Sequence, residues 1–145
     1  MNNVIFREIG IASSLGLAAL GGAIGAYKVG SATIGAWKKC YALNKPAPFL
    51  LIAFAGQPLS NIIYGFITMG ALAGSTSLSP SQLLSTGIFA GVGIGGAAIA
   101  QCYCGACASE ALAETGQGFG NYIMVIGICE TIALFVMVFT MMFAG

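Results

Sequence analysis

The stretch from Phe119 to Phe143 reads FGNYIMVIGICETIALFVMVFTMMF, and it decides how the fold of this chain is interpreted. A helix of this length can cross the hydrocarbon core of a bilayer, which takes about 20 apolar residues. Its one carboxylate, Glu130, lies near the middle. A charge at that depth costs at least about 2.5–3.5 kcal/mol unless a partner compensates it. Glu130 is therefore the first candidate functional residue, and its position indicates a site for a cation.

The composition of the whole chain is that of a membrane protein. Of the 145 residues, 58 % are hydrophobic and 6 % are charged, whereas a soluble domain carries about 25 % charged residues. The net charge is +1 and histidine is absent, which argues against nucleic-acid binding and excludes histidine-based metal or triad chemistry. The start, MNNVIFREIG, lacks a signal-peptide pattern, so we expect the first span to be retained.

Four long apolar stretches predict an all-α membrane protein with four transmembrane helices. Because the breaks between them are short, we expect two antiparallel hairpins, residues 1–73 and 74–145. A shift of 71 residues superimposes the two halves, which indicates a duplication. At that shift Glu130 falls on Leu59, so the first hairpin has no carboxylate. The stretches are about 9–37, 46–73, 83–108 and 119–143.

The basic residues predict the orientation in the membrane. Lys38, Lys39 and Lys45 fall in the loop 38–45, so the positive-inside rule places this loop in the cytoplasm. The loop 109–118 then lies on the same side, and both termini lie outside. Lys28 lies further inside the first span, and we expect its amine to reach toward the cytoplasmic interface.

Small residues recur every four positions in the first and third spans, a spacing that lines up one helix ridge for close packing. Two interpretations remain open: ordinary packing within one subunit, or a tight inner layer of these two helices with a lipid-facing outer layer. The same property explains the five cysteines, which we expect to pack as small apolar side chains without a structural disulfide. The ridges are Ser14, Ala18, Gly22, Ala26 and Gly30 in the first span, and Gly87, Gly91 and Gly95 in the third.

Counting residues predicts which polar side chains share the depth of Glu130. The loop between the third and fourth spans centres near 115–116, and both Gln101 and Glu130 lie about 14 residues from it. At about 1.5 Å per residue each lies some 20 Å from the tip, so the two side chains can face each other. The repeat brings Ser60 and Asn61 to nearly the same level, and Tyr64 lies one turn beyond Ser60.

These groups favour a hard cation such as Na⁺, which prefers several neutral oxygens and one negative charge. Pro58 adds to them, because it has no N–H for the carbonyl of Phe54 and so leaves carbonyl oxygens between Phe54 and Gln57 free. A proton needs only a carboxylate held by a few hydrogen bonds and stays an alternative. The other alternative is that the polar groups simply join the helices by hydrogen bonds.

The chain resembles the proteolipid of the rotor of V-type rotary ATPases, known as proteolipid c or K, and the bacterial Na⁺-translocating form most of all. The resemblance covers nearly the whole chain and lies in two hairpins, Gly-rich inner helices and a carboxylate in the fourth helix alone. In that family a Pro precedes a Thr-Gln pair and then Leu-Tyr-Gly-Phe. The corresponding residues here are Pro58, Ser60-Asn61 and Ile63-Tyr64-Gly65-Phe66, with Gln101 in the third helix.

The resemblance implies a site in which Tyr64 donates a hydrogen bond to the carboxylate. It implies that Na⁺ is held by the Glu130 carboxylate, by the side chains of Gln101, Ser60 and Asn61, and by the backbone carbonyl of Gln57. Two departures from the family weaken the case for Na⁺ over H⁺. Asn61 is one methylene shorter than the usual Gln, and Ser60 replaces Thr.

The resemblance also implies a function. It predicts a rotor ring of identical subunits in a cell membrane, a stator subunit with an essential Arg, and central-stalk subunits at the cytoplasmic loops, with lipid around the ring. The protein itself is expected to be non-catalytic, because no nucleotide-binding loop appears and one buried carboxylate cannot form an acid–base pair. The rival is a small stand-alone secondary transporter that uses Glu130 for cation-coupled exchange.

Overall fold

The computed structural model describes residues 2–145, with side chains from Asn3 onward, and every regular element in this range is an α-helix. Four spans are long and apolar enough to cross a membrane, so the predicted all-α fold is confirmed. The first has 41 residues, or about 60 Å, and extends beyond a hydrocarbon core of about 30 Å. The helices are α1 (Asn2–Ala42), α2 (Leu51–Gly56), α3 (Pro58–Gly74), α4 (Pro80–Thr115) and α5 (Phe119–Ala144).

The second span is divided at the position of Pro58. Helix α2 ends at Gly56 and α3 begins at Pro58, with Gln57 between them. The φ and ψ angles of Gln57, −59° and −36°, are helical, so the chain keeps its direction through the break. The interruption arises because a proline nitrogen cannot donate to the carbonyl of Phe54.

Helices α1 and α4 form the most extensive contact in the molecule. A Cβ placed on Gly87 would lie within van der Waals overlap of the Gly10 backbone, and one placed on Gly21 would overlap the Gly95 backbone. Such an approach is open only to residues without a side chain. The predicted ridge of Gly87, Gly91 and Gly95 on α4 therefore does form a close helix–helix contact.

The predicted ridge on α1 is wrong in its direction. Ser14 and Ala18 pack against α3, where a Cβ on Gly65 would lie 2.6 Å from the Ala18 Cβ. Gly22 also faces α3, and Gly30 has open space where its side chain would be. The α1 face toward α4 instead contains Gly10, Gly21 and Gly25. A helix has small residues on more than one flank, and their spacing alone does not reveal which flank meets which neighbour.

Contacts between distant residues define the two ends of the bundle. At one end Lys39 forms an ion pair with Glu114, so the loops after α1 and α4 lie side by side. At the other end Arg7 donates to the carbonyl of Ala73 at 2.9 Å, and the Ser75 hydroxyl donates to the carbonyl of Ala144 at 2.7 Å. This arrangement places the loops 38–45 and 109–118 together. Their assignment to the cytoplasm stays a prediction.

Candidate ion-binding site

Glu130 lies on α5 and is held by side chains from two other helices. The Tyr64 hydroxyl of α3 donates to Glu130 Oε1 at 2.8 Å, and Gln101 Nε2 of α4 donates to Oε2 at 3.3 Å. The shared depth of Gln101 and Glu130 is therefore as the residue count predicts. Each carboxylate oxygen has one donor, and the side chain is fixed in the groove between α3, α4 and α5.

A second hydrogen bond extends this arrangement into the interior. Asn61 Nδ2 donates to Gln101 Oε1 at 2.5 Å, and both residues are fully buried. One amide therefore positions the next, and the second amide positions the carboxylate. The other oxygen of this group, Asn61 Oδ1, is buried and accepts no hydrogen bond within residues 2–145. A buried carbonyl oxygen without a donor is unfavourable, and a cation or a water molecule would satisfy it.

Ser60 and Gln57 form a separate pair at the break between α2 and α3. The Ser60 hydroxyl donates to the Gln57 carbonyl at 2.9 Å, and the Ser60 N–H points to the same oxygen at 3.3 Å. In the described part of the chain no hydrogen bond links this pair to Glu130. The structure thus joins four of the six predicted site residues, namely Asn61, Tyr64, Gln101 and Glu130, and places the other two on the turn that precedes Asn61.

The electrostatic environment of Glu130 lacks a basic partner from its own chain. The ion pair found within residues 2–145 joins Lys39 and Glu114, at the end of the bundle. Lys28, which we expected to reach toward the interface, has its Nζ 5.2 Å from the centre of the Tyr103 ring, a cation–π distance. The carboxylate of Glu130 therefore faces hydrogen-bond donors and neutral oxygens but no fixed positive charge.

Two features of this region escaped the sequence reasoning. The side-chain oxygen of Gln57, whose backbone alone was expected to matter, is buried and has no partner in the described residues. In addition, the Sγ atoms of Cys104 and Cys129 lie 3.8 Å apart, and both thiols are free. The same residue count that pairs Gln101 with Glu130 brings these two cysteines to one depth, so this contact was within reach of the sequence.

The second hairpin carries a recognisable family signature. Residues 84–143 match the family model for the C-type rotor proteolipid of ATP synthase. The matched range contains Gln101, Glu130 and the α4 glycines that contact α1, and it covers somewhat less than half of the chain. No curated protein shows a significant match to the sequence.

The match to this ATP synthase family supports the proteolipid rotor family. Its members are non-catalytic subunits that assemble into a ring in the membrane and carry ions across it. The likeness therefore agrees with the geometry: the matched segment is the one that holds the mid-membrane carboxylate. It implies an ion-translocating rotor component in a multi-pass membrane protein.

Proposed function

We propose that this chain is the rotor-ring subunit of a V-type ATPase, in which Glu130 carries one Na⁺ per subunit across the membrane. The observation that supports this most is the buried chain of hydrogen bonds from Asn61 through Gln101 to a carboxylate without a basic partner. One carboxylate per four helices favours ATP-driven pumping, because fewer ions per turn can be pushed against a steeper gradient.

The choice of Na⁺ over H⁺ rests on the number of neutral oxygens. Besides the carboxylate, the region offers the amide oxygens of Asn61 and Gln101, the Ser60 hydroxyl and the Gln57 carbonyl. The unpartnered Oδ1 of Asn61 is an oxygen that a metal ion can use and a proton on the carboxylate does not need. Hard cations of this kind are bound by carboxylate and carbonyl oxygens in proteins. H⁺ in the same rotor role is the alternative.

In the proposed mechanism, the bound cation neutralises Glu130 so that the loaded site can pass the lipid. The Tyr64 hydroxyl and Gln101 Nε2 hold the two carboxylate oxygens in place, so a cation meets a site that is already arranged. A stator Arg then competes for the carboxylate and releases the ion. Affinity must be high enough to load the site and low enough to unload it.

Carbodiimide labelling of Glu130 tests both the site and the ion. The reagent attacks a carboxyl that no metal ion covers, so protection by millimolar Na⁺ at mildly alkaline pH is expected for a sodium site. Labelling that changes with pH but not with Na⁺ would favour H⁺. Glu130→Gln is expected to abolish transport and leave the ring assembled, and a mutant that still pumps would contradict the assignment.

The stand-alone transporter is the second candidate, because the amide chain to Glu130 would serve it equally well. A carrier would work as a monomer or a dimer, whereas a rotor requires a larger closed ring. The native mass of the detergent-solubilised protein therefore separates the two.

A further inference from the structure

A group of unpaired oxygens lies beside Gly105, one helical turn from the level of Glu130. A Cβ placed on Gly105 would lie 3.4 Å from Gln57 Oε1 and 3.6 Å from the Phe54 carbonyl oxygen. Both oxygens therefore face the same point on α4. The Phe54 carbonyl has lost its usual helical donor, since that donor would be the nitrogen of Pro58. Gln57 Oε1 is buried and has no hydrogen-bond partner within residues 2–145.

A third unpaired oxygen continues this group toward the carboxylate. Asn61 is four residues after Gln57 and lies on the same face of the helix. Its side chain is fully buried, and its Oδ1 lacks a donor in the described structure. Gln101, which binds Asn61, lies four residues before Gly105 on the facing helix. We call the Phe54 carbonyl oxygen, Gln57 Oε1 and Asn61 Oδ1 the Gly105 site.

The chemistry of the Gly105 site is that of a weak cation site. Its three members are carbonyl or amide oxygens that accept and do not donate, so their negative ends attract a positive charge. They have no carboxylate among them, in contrast to the site at Glu130, and the ion is held by dipoles alone. Conduction requires such binding, which is favourable enough to admit an ion and weak enough to release it.

We propose that the Gly105 site is a transit position for the transported cation, on the path between Glu130 and the end of the bundle that holds the loop after α1. The cation passes from the oxygens of Phe54 and Gln57 to Asn61, whose oxygen belongs to both sites, and then to the carboxylate. This inference rests on the proposed transport of Na⁺, and it assigns a role to the Gln57 side chain that the main site does not require.

Gln57→Met tests the transit role, because Met keeps the length of the side chain and removes its oxygen. The purified complex in lipid vesicles is assayed for ATP-driven uptake of radioactive Na⁺ at saturating Na⁺. We expect the uptake rate to fall about three- to tenfold, as for the loss of one polar contact. The Na⁺ concentration that half protects Glu130 from carbodiimide is expected to stay unchanged. Gln117→Met, in the exposed turn before α5, is the matched control and should change neither quantity.

Gly105→Ala is the second variant, since its methyl group would occupy the space that the oxygens face. Its Cβ would also lie 3.1 Å from Val29, so the melting temperature is measured for both variants. A normal uptake rate in Gln57→Met would overturn the inference, and so would a weakened equilibrium protection, which would make Gln57 a ligand of the main site. If Na⁺ fails to protect the wild-type protein, the proposed function fails instead, and that outcome is read before any variant is made.

Discussion

The contact between Gly10 and Gly87 gives the sharpest test of the packing that supports the site. A Cβ on Gly87 would overlap the Gly10 carbonyl oxygen and lie 2.6 Å from the Gly10 carbonyl carbon, whereas carbon atoms in contact are about 3.5–4.0 Å apart. In Gly87→Ala the helices α1 and α4 must therefore move apart by about 1 Å. The contact atoms are backbone, so no side chain can rotate away.

The expected loss of stability follows from this displacement. Overpacking of a well-packed contact costs about 1–3 kcal/mol, while the change from Gly to Ala inside a helix returns about 0.5–1 kcal/mol. At about 2–4 °C per kcal/mol for a chain of this size, the melting temperature should fall by several degrees. The assay is thermal unfolding of the detergent-solubilised protein, followed by the loss of helical circular dichroism.

Gly96→Ala, on the same helix, is the matched control because nothing lies within 4 Å of the added methyl group. This variant is expected to be as stable as the wild type or slightly more stable, through the helix propensity of Ala. The reasoning would be refuted if Gly87→Ala and Gly96→Ala unfolded at the same temperature.

Two further predictions concern the site itself. Asn61→Leu removes the donor to Gln101 Oε1 and leaves a buried oxygen unpaired at about 1–3 kcal/mol; the melting temperature should fall and half protection of Glu130 should require about tenfold more Na⁺, while Asn121→Leu at the exposed start of α5 changes neither. Oxidation of the membrane-bound protein by O₂ with copper–phenanthroline should join Cys104 to Cys129 within one subunit, with two thiols and O₂ giving a disulfide and hydrogen peroxide. The mass then falls by two hydrogens and stays unchanged in Cys104→Ser, and a cross-link that persists in this variant would contradict the 3.8 Å contact.

Much of the ion site followed from counting along the sequence. Two helices joined by a short loop must run antiparallel, so equal distances from the loop bring Gln101 and Glu130 to one level, and the structure joins them by a hydrogen bond. The position of Pro58 likewise predicted the break between α2 and α3. These features depend on rise per residue and covalent chemistry, which the sequence alone specifies.

Other features depended on the rotation of each helix about its axis, which residue spacing does not determine. The sequence offered Ser14, Ala18 and Gly22 as the α1 ridge toward α4, but packing turned that ridge to α3 and brought Gly10 against Gly87. The same rotation buried the oxygen of Gln57 beside Gly105. The sequence by itself determined four apolar spans and the depth of each polar group, because these follow from length and hydropathy. Tertiary structure decided which faces meet, because several flanks of each helix are small enough to pack and the best fit emerges once all four spans are together.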